Sequence, residues 1–176
     1  MPSLRALALA ATCFASLVRG INMTFYAPQC GVDYAFGPFY EKLLATNEDP
    51  STTTELIDFF APNGTQIVLQ NAAVGGAEII ALKQAILPVD GSVRWNHFPN
   101  ITFVADETPA NKTYQLSGIL HVITGANCST TYFSTRFTVT KDEETGIPNL
   151  KTRSGSLLVY HGFIVESSED PCFATY

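Results

Sequence analysis

Three histidines, His97, His121 and His161, are the side chains of this sequence that titrate near neutral pH, and each lies in a stretch rich in Val, Ile, Thr, Phe and Tyr. A histidine that faces an apolar pocket, with a carboxylate holding one ring nitrogen, is a proton shuttle, because its unperturbed pKa of about 6.5 is close to working pH. The same residue hydrogen-bonded to a backbone carbonyl in a core would be structural only. Tyr34, Tyr40 and Trp95 are aromatic residues of the kind that fill cores. A pocket for a ring-containing ligand would use them with their polar tips turned inward. The sequence contains no Gly-x-Ser-x-Gly elbow, no phosphate-cradling glycine loop, no His-Glu-x-x-His helix and no Cys-x-x-Cys pair. It therefore points to no cofactor and no metal, and Gly75-Gly76 reads as a helix start rather than a nucleotide site.

These side chains need a folded frame, and the composition supplies one. The chain has 176 residues, 46% hydrophobic and 15% charged, which suits one globular domain. Arg5 precedes an apolar, small-residue run from Ala6 to Val18, and Val18-Arg19-Gly20 offers a cleavage site, so residues 1–20 are expected to be a secretory signal and 21–176 the domain. The run is too short to span a membrane. Without Arg5 and Arg19 the balance is 8 basic against 16 acidic residues, 8 − 16 = −8, which argues against nucleic acid or an anionic membrane surface as a partner. Five Asn-x-Ser/Thr sequons, at Asn22, Asn63, Asn100, Asn111 and Asn127, agree with a secreted or lumenal glycoprotein and mark backbone that must be open to solvent.

Hydrophobic periodicity predicts a first helix over about 33–46, with Pro38 in its first turn or at a kink. A Thr52/Glu55 capping pair ahead of Leu56, Ile57, Phe59 and Phe60 predicts a short second helix, and Pro62-Asn63-Gly64 a turn. A strand over Thr65–Leu69 and a third helix over Glu78–Leu87, stopped by Pro88, follow. From residue 93 the pattern turns to β, with strands over about 93–105, 113–124, 130–140 and 154–166. Helices first and an antiparallel sheet afterwards gives an α+β fold, with the helices covering one sheet face.

Alternation places Trp95, His97, Ile101 and Phe103 on one side of the first long strand and Arg94, Asn96, Asn100 and Thr102 on the other. The sequon at Asn100 makes its own side the outer one. His121 falls on an ambiguous face, with Ile119 and Ile123 but also Gln115 and Ser117, and His161 on an apolar face with Leu157, Val159, Phe163 and Val165. If the last two strands pair antiparallel, Cys172 can reach Cys128, while Cys30 competes for Cys172, and connectivity is not fixed by sequence.

The order of elements resembles the cone-shaped nuclear transport factor 2 superfamily, and within it the SnoaL-like polyketide cyclases and scytalone dehydratase, in a secreted, fungal-like variant. The residues that carry the likeness are Phe39-Tyr40-Glu41-Lys42-Leu43-Leu44, Phe59-Phe60-Ala61-Pro62-Asn63-Gly64, Gly75-Gly76 with Ile79 and Ile80, and Trp95-Asn96-His97-Phe98-Pro99-Asn100-Ile101-Thr102. The resemblance implies a curved sheet and N-terminal helices enclosing an apolar pocket, and a homodimer through the outer sheet face, which a glycan at Asn100 would hinder. It implies His97 and His121 as catalytic histidines and Asp33 as the carboxylate orienting one of them. Asp33 could equally be a helix cap. Tyr34, Tyr40, Trp95, Phe103 and His161 would contact the substrate. The implied function is binding of a small hydrophobic molecule, with cofactor-free dehydration, isomerisation or cyclisation in secondary metabolism. A non-enzymatic carrier or extracellular interaction protein on the same cone is the alternative.

Overall fold

The computed structural model describes residues 21–165; the expected signal segment and Cys172 lie outside them. The first helix, α1 (Phe36–Glu48), takes Pro38 in its first turn, where a missing N–H costs nothing. Phe36, Phe39, Tyr40, Leu43 and Leu44 form its buried stripe. Asp49, before Pro50, is extended and ends the helix. The second helix, α2 (Gly76–Ile86), follows Gly75, which sits at φ 76° where a side chain would be strained, and ends ahead of Pro88.

The described residues also contain seven strands: β1 (Ala27–Pro28), β2 (Phe60–Val68), β3 (Asn71–Val74), β4 (Val93–Glu107), β5 (Asn111–Thr124), β6 (Asn127–Thr140) and β7 (Leu157–Val165). They form one sheet in the order β1-β4-β5-β6-β7-β2-β3. The long central pairs are antiparallel as expected, but β1 joins β4 and β2 joins β7 in parallel, so the sheet is mixed.

The expected second helix shrinks to one 3-10 turn, Ile57–Phe59, without a side-chain cap. Phe60 pairs with Leu157 instead, so sheet hydrogen bonds override the local helical spacing. Pro62-Asn63-Gly64 is not a turn between elements but an irregularity inside β2, where the register jumps from Phe60↔Leu157 to Thr65↔Val159.

One bulge decides the sidedness of β4. Pro99 pairs with Gly118 but Thr102 with Leu116, so three steps on β4 match two on β5 and the faces reverse from there to Val104. A further irregularity, between Val104↔Tyr114 and Asp106↔Thr113, then reverses them again. Trp95 and His97 point inward as expected, whereas beyond the bulge Thr102 is the buried residue and Ile101 is 46% exposed. Gly118 sits opposite this bulge so tightly that a Cβ there would lie 2.3 Å from the Phe98 carbonyl oxygen and 2.9 Å from Pro99 Cα. A second shift, between Thr138↔Val159 and Val139↔Leu157, does the same to β7: Leu157 and Tyr160 are buried.

The concave side of the sheet and α1 share one core, in which Phe36 stacks on Tyr114 with ring centroids 4.0 Å apart and Phe137 meets Tyr40 edge-on at 5.4 Å. Lys83 of α2, fully buried, donates from Nζ to the carbonyls of Asp49 (2.7 Å) and Thr52, which ties the segment after α1 to α2. No helix among the described residues is long and apolar enough to cross a membrane.

Candidate functional site

At the C-terminal end of α1 the stripe Tyr40, Leu44, Glu48 continues inward at a spacing of four, so a carboxylate takes the place the periodicity assigns to an apolar residue. Glu48 Oε1 accepts the backbone N–H of His97 at 3.0 Å and is also paired with His97 Nδ1. Both residues are buried, His97 at 3% exposure and Glu48 at 5%. Glu48 Oε2 has no hydrogen-bond partner among the described residues. The edge of Phe133, 4.7 Å away between centroids, holds the imidazole from the side.

His97 forms part of the wall of a cavity of about 110 Å³ whose other lining includes Val68, Ile86, Trp95, Leu120, Phe133, Thr135 and Tyr160. The wall is apolar apart from His97, the Thr135 hydroxyl, Tyr160 and Asn71. Burial pushes the Tyr160 phenol well above its ordinary range, and the nearby Glu48 adds to it. Burial does the same to Tyr40, helped by Tyr160, Glu48 and Tyr26. Both phenols therefore remain neutral donors across the physiological range. With Nδ1 held by the carboxylate, the arrangement fixes the ring and leaves Nε2 as the nitrogen free to exchange a proton with a bound molecule. Among the described residues no group of three or more His, Cys, Asp and Glu side chains is placed to hold a metal ion.

Asp33 belongs to a different cluster. Its Oδ2 accepts from Tyr114 Oη at 2.6 Å and from Lys112 Nζ at 2.7 Å. Lys112 also donates to the Gly31 carbonyl at 3.0 Å and faces Glu107 at 3.4 Å, which in turn meets Lys141 at 2.6 Å. Partial burial opposes ionisation of Asp33, but the hydrogen bonds from Lys112 and Tyr114 and the lysine charge outweigh it and hold the carboxyl below its usual range. For Lys112 burial is likewise outweighed by Asp33 and Glu107, and its ammonium is held above the usual lysine value. Asp33 neither orients a histidine nor caps α1 with its side chain; its backbone carbonyl accepts from Phe36 N at 2.9 Å.

Of the other expected site residues, Trp95 lines the cavity. Tyr40 is a core residue at 1% exposure whose hydroxyl has no partner among the described residues. Tyr34 is turned to solvent at 97% exposure. Phe103 falls past the bulge, opposite Gln115 on the outer face. His121 lies on that face too, against Phe98 at 4.7 Å, and His161, displaced by the β7 shift, sits against Phe163 at 5.4 Å and opposite Arg136. The three histidines do not share a compartment. Asn63, Asn100 and Asn127 are exposed and Asn22 and Asn111 half-buried. Cys30 is a free, exposed thiol, and Cys128 is engaged in a disulfide. Glu48 was not anticipated, because Asn47-Glu48-Asp49-Pro50 looks like an ordinary polar helix end; its position on the Tyr40-Leu44 stripe was the available signal.

No family model matches the chain and no curated protein does. Solved structures do match. ActVI-ORFA from Streptomyces coelicolor superimposes with a TM-score of 0.57 at 12% identity, over 74% of this chain and 94% of that one. A protein from Catenulispora acidiphila, in complex with S-DNPA, gives 0.54 at 11% identity over 75% and 95%. An NTF2-like protein with a cystatin-like fold from Novosphingobium aromaticivorans gives 0.51 at 15% identity over 76% and 84%. At these identities the likeness is one of architecture: two helices against a curved, seven-stranded mixed sheet, the cone fold of nuclear transport factor 2-like proteins.

Proposed function

We propose that the cavity behind His97 binds a small hydrophobic molecule and that the Glu48–His97 pair performs cofactor-free acid/base chemistry on it. The observation that carries this reading is the pairing of a buried carboxylate with the one histidine in an otherwise largely apolar cavity wall. A buried ionisable pair is costly to desolvate and is therefore a poor way to gain stability alone. In the reaction, His97 Nε2 takes a proton from a carbon beside a carbonyl; the C–H electron pair forms a double bond to the carbonyl carbon as the carbonyl π pair moves onto its oxygen. When that pair returns to re-form C=O, the carbon–carbon pair expels the adjacent hydroxyl or takes up a proton. Returning that proton to a hydroxyl on the adjacent carbon breaks its C–O bond and releases water; returning it to another carbon is an isomerisation. Glu48 stabilises the imidazolium between the two steps. The ligand-bound state of the Catenulispora protein supports small-molecule binding on this fold. The Arg5-led apolar run and the sequons support a place in the secretory pathway.

The carrier reading draws on the dispersal of His121, His161 and Asp33, which leaves one histidine at the cavity. One experiment separates the two. Trp95, the only tryptophan, reports occupancy by fluorescence when 2-tetralone is titrated, and NMR follows deuterium uptake at the carbon beside the ketone. The enzyme reading expects quenching with accelerated exchange that falls at least tenfold in His97→Ala and Glu48→Gln. Quenching without protein-dependent exchange would establish the carrier, and no quenching would sink both.

A further inference from the structure

On the opposite face of the sheet from His97 lies a recess of about 600 Å³, and the sequon asparagine Asn100 is part of its lining. Its apolar lining includes Phe25, Phe98, Ile101, Ile119 and Tyr132, with Phe133 and Val165 beside them, and several are unusually open: Phe25 is 67% and Tyr132 51% exposed. An apolar patch of this kind on a water-facing sheet surface calls for a covering group. Strand alternation sets Phe98 and Asn100 side by side on the outer face, and the bulge after Pro99 turns Ile101 to the same side.

We infer that the cover is carried by the chain itself: the first N-acetylglucosamine of a glycan on Asn100 lies in this recess over Phe98, Ile101 and Tyr132. The inference rests on the secretory reading. A pyranose has one face of C–H groups that packs on aromatic rings, while its hydroxyl and N-acetyl groups require polar partners, and Ser117 and His121 stand in the same lining. Asn63 and Asn127 are exposed as well, but neither lines this recess. Thr102, the hydroxyl residue of the sequon, is fully buried, so the sugar must be attached before the strand closes.

The test uses the full chain secreted from a eukaryotic host, with each sequon mapped by peptide mass before and after trimming of glycans to a single N-acetylglucosamine. The expected result is an occupied Asn100 and a trimmed protein melting about 3 °C above Asn100→Gln treated in the same way. Phe98→Ala should erase that difference. Asn100 bare while Asn63 or Asn127 is modified overturns the inference, as does a melting difference that Phe98→Ala leaves intact. A homodimer that forms through this face with the Asn100 glycan in place overturns it too. If no sequon at all is modified, the secretory reading fails and takes the inference with it.

Discussion

The two ends of α1 each carry a carboxylate to the sheet, and the two contacts differ in kind. Asp33, just ahead of the helix, meets a lysine and a tyrosine of β5 at a partly open rim, with further charges around it. Glu48, the last helical residue, meets a single histidine of β4 in the interior and keeps one oxygen unpartnered among the described residues. The rim cluster is charge-rich, redundant and solvent-screened, so it serves to seat the helix. The inner pair has no redundancy, and its histidine lines a largely apolar cavity, an arrangement that the proposed acid/base chemistry would use and that stability alone does not require.

Removing the inner carboxylate should produce the largest effect. Glu48→Ala is expected to lose about 3–5 kcal/mol of folding stability in denaturant titration, because it strands a buried partner. If Asp33→Ala costs as much, the contrast between the two ends fails. Next comes Lys83→Met, which leaves the Asp49 and Thr52 carbonyls without their donor and should cost about 1–3 kcal/mol. The companion expectation is a weakened Glu48–His97 contact, seen as a shifted His97 ring signal in NMR.

The rim is weaker and sensitive to pH. Lys112→Met should cost about 1 kcal/mol at neutral pH. Asp33 titrates lower in the folded chain, so its contribution is present above its unfolded value of about 3.9 and is lost as pH falls through the folded value. Lys112 titrates higher when folded, so its share is present below its unfolded value of about 10.4 and is lost as pH rises through the folded one. The stability difference between wild type and Lys112→Met should thus be level between those limits and shrink outside both. A difference that keeps growing toward acid pH would contradict the assignment. The smallest effects belong to the outer face: His121→Ala and His161→Ala should stay within about 0.5 kcal/mol of wild type and leave 2-tetralone quenching of Trp95 unchanged.

Much of this architecture is legible in the sequence because its signals are long. Thirteen residues at helical spacing for α1 and four strands dominated by β-branched and aromatic residues each repeat one message many times. What was not legible depends on single residues. The short apolar run at Leu56–Phe60 fits either period, and its pairing with β7 is a long-range fact that local spacing does not contain. Faces along β4 and β7 are readable only up to an irregularity: His97 lies before its bulge and faces inward as alternation predicts, whereas Phe103 and His161 lie beyond theirs and take the other face. Glu48 was hidden by its type, since a glutamate near a helix end reads as solvated unless the stripe beneath it is followed one turn further.

The bulge in β4 acts on side chains as a frameshift acts on codons: from that point to Val104, where a further shift restores the frame, each residue is read on the other face. What holds the frame is a missing methyl group. At 2.3 Å from a carbonyl oxygen, a Cβ on residue 118 has no room; the Phe133 ring at 2.9 Å could turn aside, but the Phe98 oxygen and Pro99 Cα are backbone atoms that no rotamer change can move. An alanine at that position would have to push β4 and β5 apart or slide one past the other. Either outcome shifts His97 relative to Glu48. A residue that carries no side chain therefore decides which alternate residues of β4 past Pro99 face the interior and which the surface.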